Sequence, residues 1–431
     1  MKINSLICLS LLFSVVSHAN IEKLSLDNAI EIGLKQSEDV KQSLLDIEKA
    51  QAQIKEAWSG AFPQISAQVQ LINHTKPAVI QFNGTSVPVK SDYEMVSGLS
   101  LNQVLYSFGR VYHALKAAKL TRKLQNTALK AVQREVRYAI ELAYYNIIYA
   151  QEVLNIARSS LKNGQRNKNA LAQRYSGGRI PRFDNIKLDA DIASRRPLVS
   201  DAEKSLKLAT MQLNFLLRKP LGQKYKLTSS FTTNFQRYDS ELESSKLKSN
   251  PNIMLSELQV EIGKREEKLV ASNHYPQLAL FGNLNHSGTG DDLPPSQDDM
   301  NTTSAIGISL NIPIYQGGQI SARQAQAKIV NAKRVVALEY QRERLLIQLQ
   351  TALEEYTTNQ NKLKSAKNAM MLAEKAYELT RSRFITGGAT RNDLNNSEMA
   401  LTNTRLQYQS TLFQIHSNES LIRKLTKEVG V

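Results

Sequence analysis

Residues 318–384 read GQISARQAQAKIVNAKRVVALEYQRERLLIQLQTALEEYTTNQNKLKSAKNAMMLAEKAYELTRSRF, without a proline or an internal glycine. At 1.5 Å per residue one helix over this stretch would run about 100 Å. A helix of that length depends on neighbours for stability. Leu338, Leu345, Ala352, Ala366 and Ala373 fall on a seven-residue step, with Asn359 as its one polar member. Leu349, Tyr356, Leu363, Met370, Tyr377 and Phe384 repeat with the same step, four positions on. Two apolar positions per heptad form the seam of a left-handed supercoil.

The same seam occurs 209 residues earlier. Leu129, Val136, Ala143, Ala150, Ala157, Gly164 and Leu171 form one line, and Ile140, Ile147, Leu154, Leu161, Lys168 and Tyr175 the other. Val136 corresponds to Leu345 and Ile140 to Leu349, so the chain is a tandem duplication. Its units are residues 20–220 and 248–431, joined by an irregular polar segment, 221–247. Residues 1–19 read as a secretion signal: Lys2, the apolar run Leu6–Val16, and the small-x-small site Ser17-His18-Ala19. Cys8, the single cysteine, lies inside that run, so no disulfide or lipid anchor is expected in the mature chain.

Each unit has the same internal order. A helix ends at Pro63 or Pro276, two strands follow, then the long helix, a turn and a return helix. The expected strands are Gln64–Asn73, Val96–Leu105, Gln277–His286 and Ser304–Ile314. Ile65, Ala67, Val69 and Leu71 alternate with Gln64, Ser66, Gln68 and Gln70, and Ile306, Ile308 and Leu310 with Gly307, Ser309 and Asn311. Phe281 lies on a polar side. The return helices run from Phe183 to Lys219, where Pro197 is expected to kink or interrupt, and from Arg391 to about Thr426. The fold class is therefore α+β, a duplicated β-hairpin and long α-helical hairpin.

Strands of nine to eleven residues with one apolar and one small-polar face suit a transmembrane β-barrel. Phe62, Tyr106, Phe108, Tyr275 and Tyr315 at the helix-side ends suit its interfacial girdle. A soluble sandwich would need a second sheet, for which there is no sequence. Four strands cannot close, and an open edge is not viable in hydrocarbon. Several copies must therefore contribute to one barrel, with three or four allowed by arithmetic.

The formal charge of +16 would suggest nucleic acid in a cytosolic protein. Behind an export signal, with acids interspersed, it reads as solvated helix faces, and no nucleic-acid partner is expected. The six histidines (18, 74, 113, 274, 286 and 416) include no pair at metal-ligand spacing. No nucleophile elbow or phosphate-binding glycine loop is present. Neither an enzyme nor a cofactor is expected. A secreted coiled-coil adhesin is the alternative from another class, and it leaves the alternating strands unexplained.

The paired tips carry a family resemblance. Arg174-Tyr175-Ser176-Gly177-Gly178 precedes Asp184, and Arg383-Phe384-Ile385-Thr386-Gly387 precedes Asp393, each with six residues from glycine to aspartate. With the junctions Tyr106-Ser107-Phe108-Gly109 and Ile312-Pro313-Ile314-Tyr315-Gln316-Gly317-Gly318, the chain resembles the TolC family of outer-membrane efflux channels over essentially its whole mature length. That resemblance implies a homotrimer forming a 12-stranded transmembrane β-barrel on a long periplasmic α-helical barrel. It implies three further partners: outer-membrane lipid, a periplasmic adaptor, and an inner-membrane transporter of RND, ABC or MFS type. The implied function is an exit duct for small molecules, with type I protein secretion as the alternative.

The resemblance also implies site residues. Asp184 and Asp393 match acids that ring the periplasmic aperture, and Asn396 stands where a second aperture aspartate is usual. Phe384 and Ala389 stand in place of the family's gate-linking tyrosine and arginine. Arg182 and Arg391, each two residues before its aspartate, are the expected substitutes for that linkage. Gly178, Gly387, Arg174 and Arg383 mark the tips expected to dock the adaptor. The plainer reading of both aspartates is an acid at a helix N-terminus.

Overall fold

In a computed structural model of the chain, residues 22–76, 79–88, 92–174 and 182–427 are described, with side chains for all but 22, 86–88, 172–174 and 182–185. The expected signal segment and the first tip turn, with Gly178, lie outside these residues. The chain forms two compact units, and each draws on both halves of the duplication. One comprises residues 1–41, 132–246 and 347–431, the other 42–131 and 247–346.

The first unit is helical. It contains α1 (Leu26–Gln36), most of α3 (Arg110–Arg174), α4 (Arg182–Leu216), α5 (Ser240–Lys246), the C-terminal part of α7 (Gln319–Thr386), and α8 (Arg391–Thr426). Strands β1 (Glu22–Leu24) and β6 (Tyr225–Leu227) pair in parallel. The heptad positions are where burial falls. Val136, Ile140, Ala143, Ile147, Ala150, Leu154 and Leu171 of α3 are buried, and so are Leu349, Ala352, Tyr356, Leu363, Tyr377 and Phe384 of α7. Each large apolar side chain taken fully out of water contributes about 1.5–3 kcal/mol. Tyr144 is fully buried, and its hydroxyl donates to the Leu24 carbonyl (3.0 Å) while accepting from the Ser229 amide (3.3 Å). α4 continues through Pro197 without interruption, although proline supplies no backbone donor there. The segment 221–247 is less irregular than its polar composition suggests, since it holds β6 and α5.

The second unit carries the sheet. β2 (Gln64–Asn73), β5 (Tyr93–Tyr106), β7 (Gln277–Gly290) and β8 (Met300–Asn311) pair antiparallel in the order β2–β5–β7–β8. The fourth strand starts four residues earlier than expected and stops three earlier, because Pro313 cannot donate to a ladder. The segment between β2 and β5 holds a hairpin absent from the sequence reading. It consists of β3 (Val79–Phe82) and β4 (Thr85–Pro88) about Asn83-Gly84, both at positive φ. Asn-Gly suits the primed turn of a two-residue hairpin.

Register places one apolar row across all four strands. Ile65 lies opposite Leu101, Ala67 opposite Leu99, Leu99 opposite Leu284, and Leu280 opposite Ile308. These side chains point to solvent in the single chain; Ile65 is 73% exposed and Ile306 77%. The other face is polar, with a Ser66–Ser100 hydroxyl pair at 2.7 Å and Asn102, Asn283 and Asn285 in neighbouring positions. Phe281 intrudes on that polar face and lies against Gly307, where a β-carbon would come within 2.8 Å of its ring. Tyr106, Phe108 and Tyr275 cluster at the helix-side end, with ring centroids 4.6 Å and 5.8 Å apart.

Four helices continue this unit: α2 (Glu38–Ser59), the start of α3, α6 (Pro251–Ala271), and the start of α7. Arg122 of α3 donates to Gln51 of α2 at 2.8 Å. Burial and the charges of Arg265 and Lys268 on α6 hold His113 of α3 below its ordinary pKa. Arg334 and Arg342 of α7 pair with Glu266 and Glu257 of α6, each at 2.7 Å. Helix neighbours therefore follow α2–α3–α6–α7, the same succession as the strands.

Candidate functional site

The α7–α8 hairpin ends in a turn of four residues closed from both sides. Gly388 N donates to Arg383 O (2.7 Å) and Gly387 N to Phe384 O (3.2 Å). This is the double bond pattern of a Schellman stop, with Gly387 at φ 93°, a region open to glycine. Arg383 adds a clasp from Nη2 to the Gly388 carbonyl at 3.0 Å. On the other side Thr390 caps α8. Its Oγ1 accepts from Asp393 N (3.1 Å), and Asp393 Oδ2 accepts from Thr390 N (2.9 Å) and Oγ1 (2.7 Å). This is a reciprocal capping box.

Asp393 is thus fixed in place as well as exposed. The two Thr390 hydrogen bonds, with a smaller contribution from Arg383, hold its carboxyl below its ordinary value of 3.8. A depressed carboxylate contributes stability that is fully present above about pH 5 and is lost as pH falls through the folded value. Thr390→Ala should fray the first turn of α8 by about 1 kcal/mol. Faster amide exchange at residues 391–394 than in the native chain is the expected readout, and unchanged exchange would show the cap to be idle. Asn396 is exposed one turn on, and Arg391 donates to its neighbour Asn392 (3.2 Å).

Below the turn, Leu171, Leu188, Tyr377, Phe384, Leu394 and Leu401 form one apolar cluster, with Ala389 packed against it. Phe384 is therefore core in this hairpin pair. The polar linkage of this region lies deeper, between residues that the sequence reading did not single out. Arg195 of α4 donates to Glu398 of α8 at 2.5 Å, and both are buried. The same guanidinium donates to the Ser160 carbonyl of α3 (2.9 Å), and Asp191 and Asn395 each lie 3.4 Å from its Nη2. Burial opposes the charge on Arg195, but the hydrogen bonds and charges of Glu398 and Asp191 together outweigh it, leaving the pKa raised. One ion pair thus ties three helices together.

The family's sequence model, described as outer membrane efflux protein, matches residues 29–217 and 242–426. The chain belongs to the outer membrane efflux protein family. Membership places the protein in the outer membrane. The chain is 21% identical over 351 residues to outer membrane protein TolC of Vibrio cholerae, covering 76% of this chain and 77% of that one. It is 22% identical over 320 residues to the alkaline protease secretion protein AprF of Pseudomonas aeruginosa, covering 72% and 65%. In fold it is similar to the CmeC outer membrane channel of Campylobacter jejuni, with TM-score 0.79, 17% identity, and 93% and 85% of the two chains covered.

Of the expected site residues, Arg383, Gly387, Arg391, Asp393 and Asn396 are brought together at the α7–α8 turn. Arg182 and Asp184 lie in the first turn of α4 and Arg174 at the last residue of α3, with side chains outside the described set. The missed pair had a sequence signal. Glu398 interrupts the stripe Leu394–Leu401, and Arg195 interrupts Leu188–Ile192–Ala202, so two opposite charges each occupy a core position.

Proposed function

We propose that the protein is the outer-membrane exit duct of a tripartite efflux system, with three copies supplying four strands each to a 12-stranded barrel. The observation that carries this reading is the four-stranded sheet: one face is exposed and apolar, the other is polar, and both edges are open. Exposed apolar strands are stable in lipid, and open edges there are not, so copies must complete the ring. The polar face then lines a water-filled passage, and solute specificity comes from the partners feeding it. The helical hairpins, with Asp184, Asp393 and Asn396 at their ends, form the periplasmic aperture. Gly178, Gly387, Arg174 and Arg383 lie where an adaptor would dock, and the adaptor connects the duct to an energised inner-membrane transporter.

Detergent-extracted protein should run as a heat-sensitive trimer from outer-membrane fractions. Cells lacking it should accumulate small toxic solutes, and plasmid-borne protein should restore their export. The likeness to AprF favours protein secretion as the second reading. Loss of an exported protein from the culture medium, with solute accumulation unchanged, would select it. An epitope inserted at Asn83-Gly84 should be detected on intact cells, because the strands on either side of that loop return to the same helical end. Detection only after permeabilisation would overturn the barrel.

A further inference from the structure

α8 ends against the middle of α3, and the two helices enclose a cavity of about 50 Å³ there. Five cations line it: Arg134 and Arg137 of α3, and Arg423, Lys424 and Lys427 where α8 stops. Among the described residues, Glu141 of α3 is the one carboxylate in that lining. Arg134 and Glu141 are buried while Lys427 is exposed, so the cavity has a closed back and an open side. A volume of this size accepts a few waters or the head of one small oxyanion.

Glu141 accepts from Arg137 Nε at 3.0 Å and lies 3.5 Å from Arg423 Nη2. Glu419 lies 3.9 Å from the same Nη2, and Glu135 takes Lys424 at 2.5 Å. Three carboxylates among the described residues thus face five cations, a surplus of two positive charges. Helix-end chemistry accounts for some of these cations. Arg423 and Lys424 occupy the last turn of α8, where positive charge complements the dipole. Arg134 Nη1 donates to the Lys424 carbonyl at 3.4 Å, at that same helix end. Arg137 stands in the middle of α3, where no terminus of its own helix calls for charge. Three guanidinium groups on one cavity offer forked donors that match the oxygens of a tetrahedral anion. Burial and the charge of Glu135 raise the pKa of Tyr138 in the same lining, so its hydroxyl keeps its proton and can donate.

We propose that the cavity between α3 and the end of α8 binds a tetrahedral dianion, phosphate or sulfate, held by Arg134, Arg137, Arg423 and Lys427. The anion is either free or the terminal group of a soluble molecule that extends past Lys427. Its two charges match the surplus of two. Arg134 lies about 36 Å along α3 from Arg110, at 1.5 Å per residue, which favours a solute over a lipid headgroup as the source. Bound there, the anion ties the long helix of the first repeat to the last helix of the second. The site belongs to the helical unit alone and stands independently of the duct reading.

The test titrates full-length protein in detergent, dialysed free of phosphate and sulfate, with each of these anions and with chloride at matched ionic strength. Calorimetry should give saturable binding of phosphate and of sulfate, and none of chloride or acetate. The unfolding midpoint should rise by a few degrees and level off as the site fills. Glycerol phosphate that binds as tightly as phosphate identifies the larger solute as the source, and phosphate binding without it identifies the free anion. Arg134→Gln should weaken phosphate binding about tenfold. Lys427→Gln, at an exposed position that does not support the fold, should weaken it several-fold, and Lys162→Gln on an exposed part of α3 should leave it unchanged. Phosphate and sulfate also stabilise proteins by exclusion from their surfaces. A rise that does not saturate, or that is equal in all variants, would therefore overturn the site. So would phosphate binding that emerges only in Glu428→Gln, since the occupant would then be the carboxylate next to Lys427 in the chain.

Discussion

Glu398→Ala is expected to lower the unfolding free energy of the helical hairpins by about 3–5 kcal/mol, the usual result of leaving one buried partner of an ion pair unmatched. Glu398 accepts the strongest bond that Arg195 makes, and both side chains are buried. The remaining guanidinium would keep Ser160, Asp191 and Asn395 within reach. Asp191 is more exposed and lies at 3.4 Å, so it replaces little of what is lost. Arg195→Ala should cost a similar amount, because it removes the partner of Glu398, whose carboxyl burial already pushes above its ordinary range. Removing both charges together has a different outcome. Arg195→Met with Glu398→Leu fills the volume with apolar groups and should return most of the stability. Urea midpoints of the three variants in detergent decide the matter. A shift below about 1 kcal/mol in Glu398→Ala would mean that water replaces the pair and that the three helices are held by their apolar cluster alone.

The contrast between that pair and the heptad seams shows what the sequence makes legible. Leu349, Tyr356 and Ile140 could be assigned to a core from spacing, because a helix maps every seventh residue to one side and burial follows. The strands were legible for the same reason at a period of two, and Pro63 and Pro276 set where they begin. Ends set by local chemistry were harder to place. α7 runs two residues past Phe384 because the Schellman bonds of Gly387 and Gly388 close over Thr386, which apolar periodicity does not register. The Asn83-Gly84 hairpin was obscured by flanking prolines, although its dipeptide is a strong turn signal.

For the tip residues, sequence supplied the position and structure supplied the local role. Asp393 stands at the turn, as its spacing from Gly387 implies, and there it completes a cap with Thr390. Capping and a place at an aperture are compatible, because only Oδ2 is engaged by Thr390. Phe384 is buried in the apolar cluster with Leu171, Leu188, Tyr377, Leu394 and Leu401. The pairing of Arg195 with Glu398 crosses 203 residues. No periodicity within one helix can predict such a contact. It can only flag a charge on a buried stripe and leave its partner open.

The lipid-facing reading of the sheet makes neighbouring residues respond in opposite ways to one substitution. Ile306 and Ala305 are adjacent on β8 and both are exposed in the single chain. Ile306 is paired with Gly282 in the apolar row, and Ala305 with Asn283 in the polar one. In a soluble protein arginine would be tolerated at either exposed position, with an effect within about 0.5 kcal/mol. In a barrel, arginine at 306 must sit in hydrocarbon near mid-depth, at a cost of about 2–4 kcal/mol. Arginine at 305 would face the aqueous passage, leaving stability nearly unchanged and adding one positive charge per copy to the lumen. Ile306→Arg should therefore be depleted from outer-membrane fractions and unfold at lower urea in lipid vesicles. Ala305→Arg should insert at native levels and shift ion preference in planar bilayers towards anions. Equal behaviour of the two variants, whether both normal or both lost, would refute the assignment of faces. Reversal of the pattern would place lipid on the side of Asn102 and Asn283, where the apolar row of Leu99, Leu280, Ile306 and Ile308 would have to line the water.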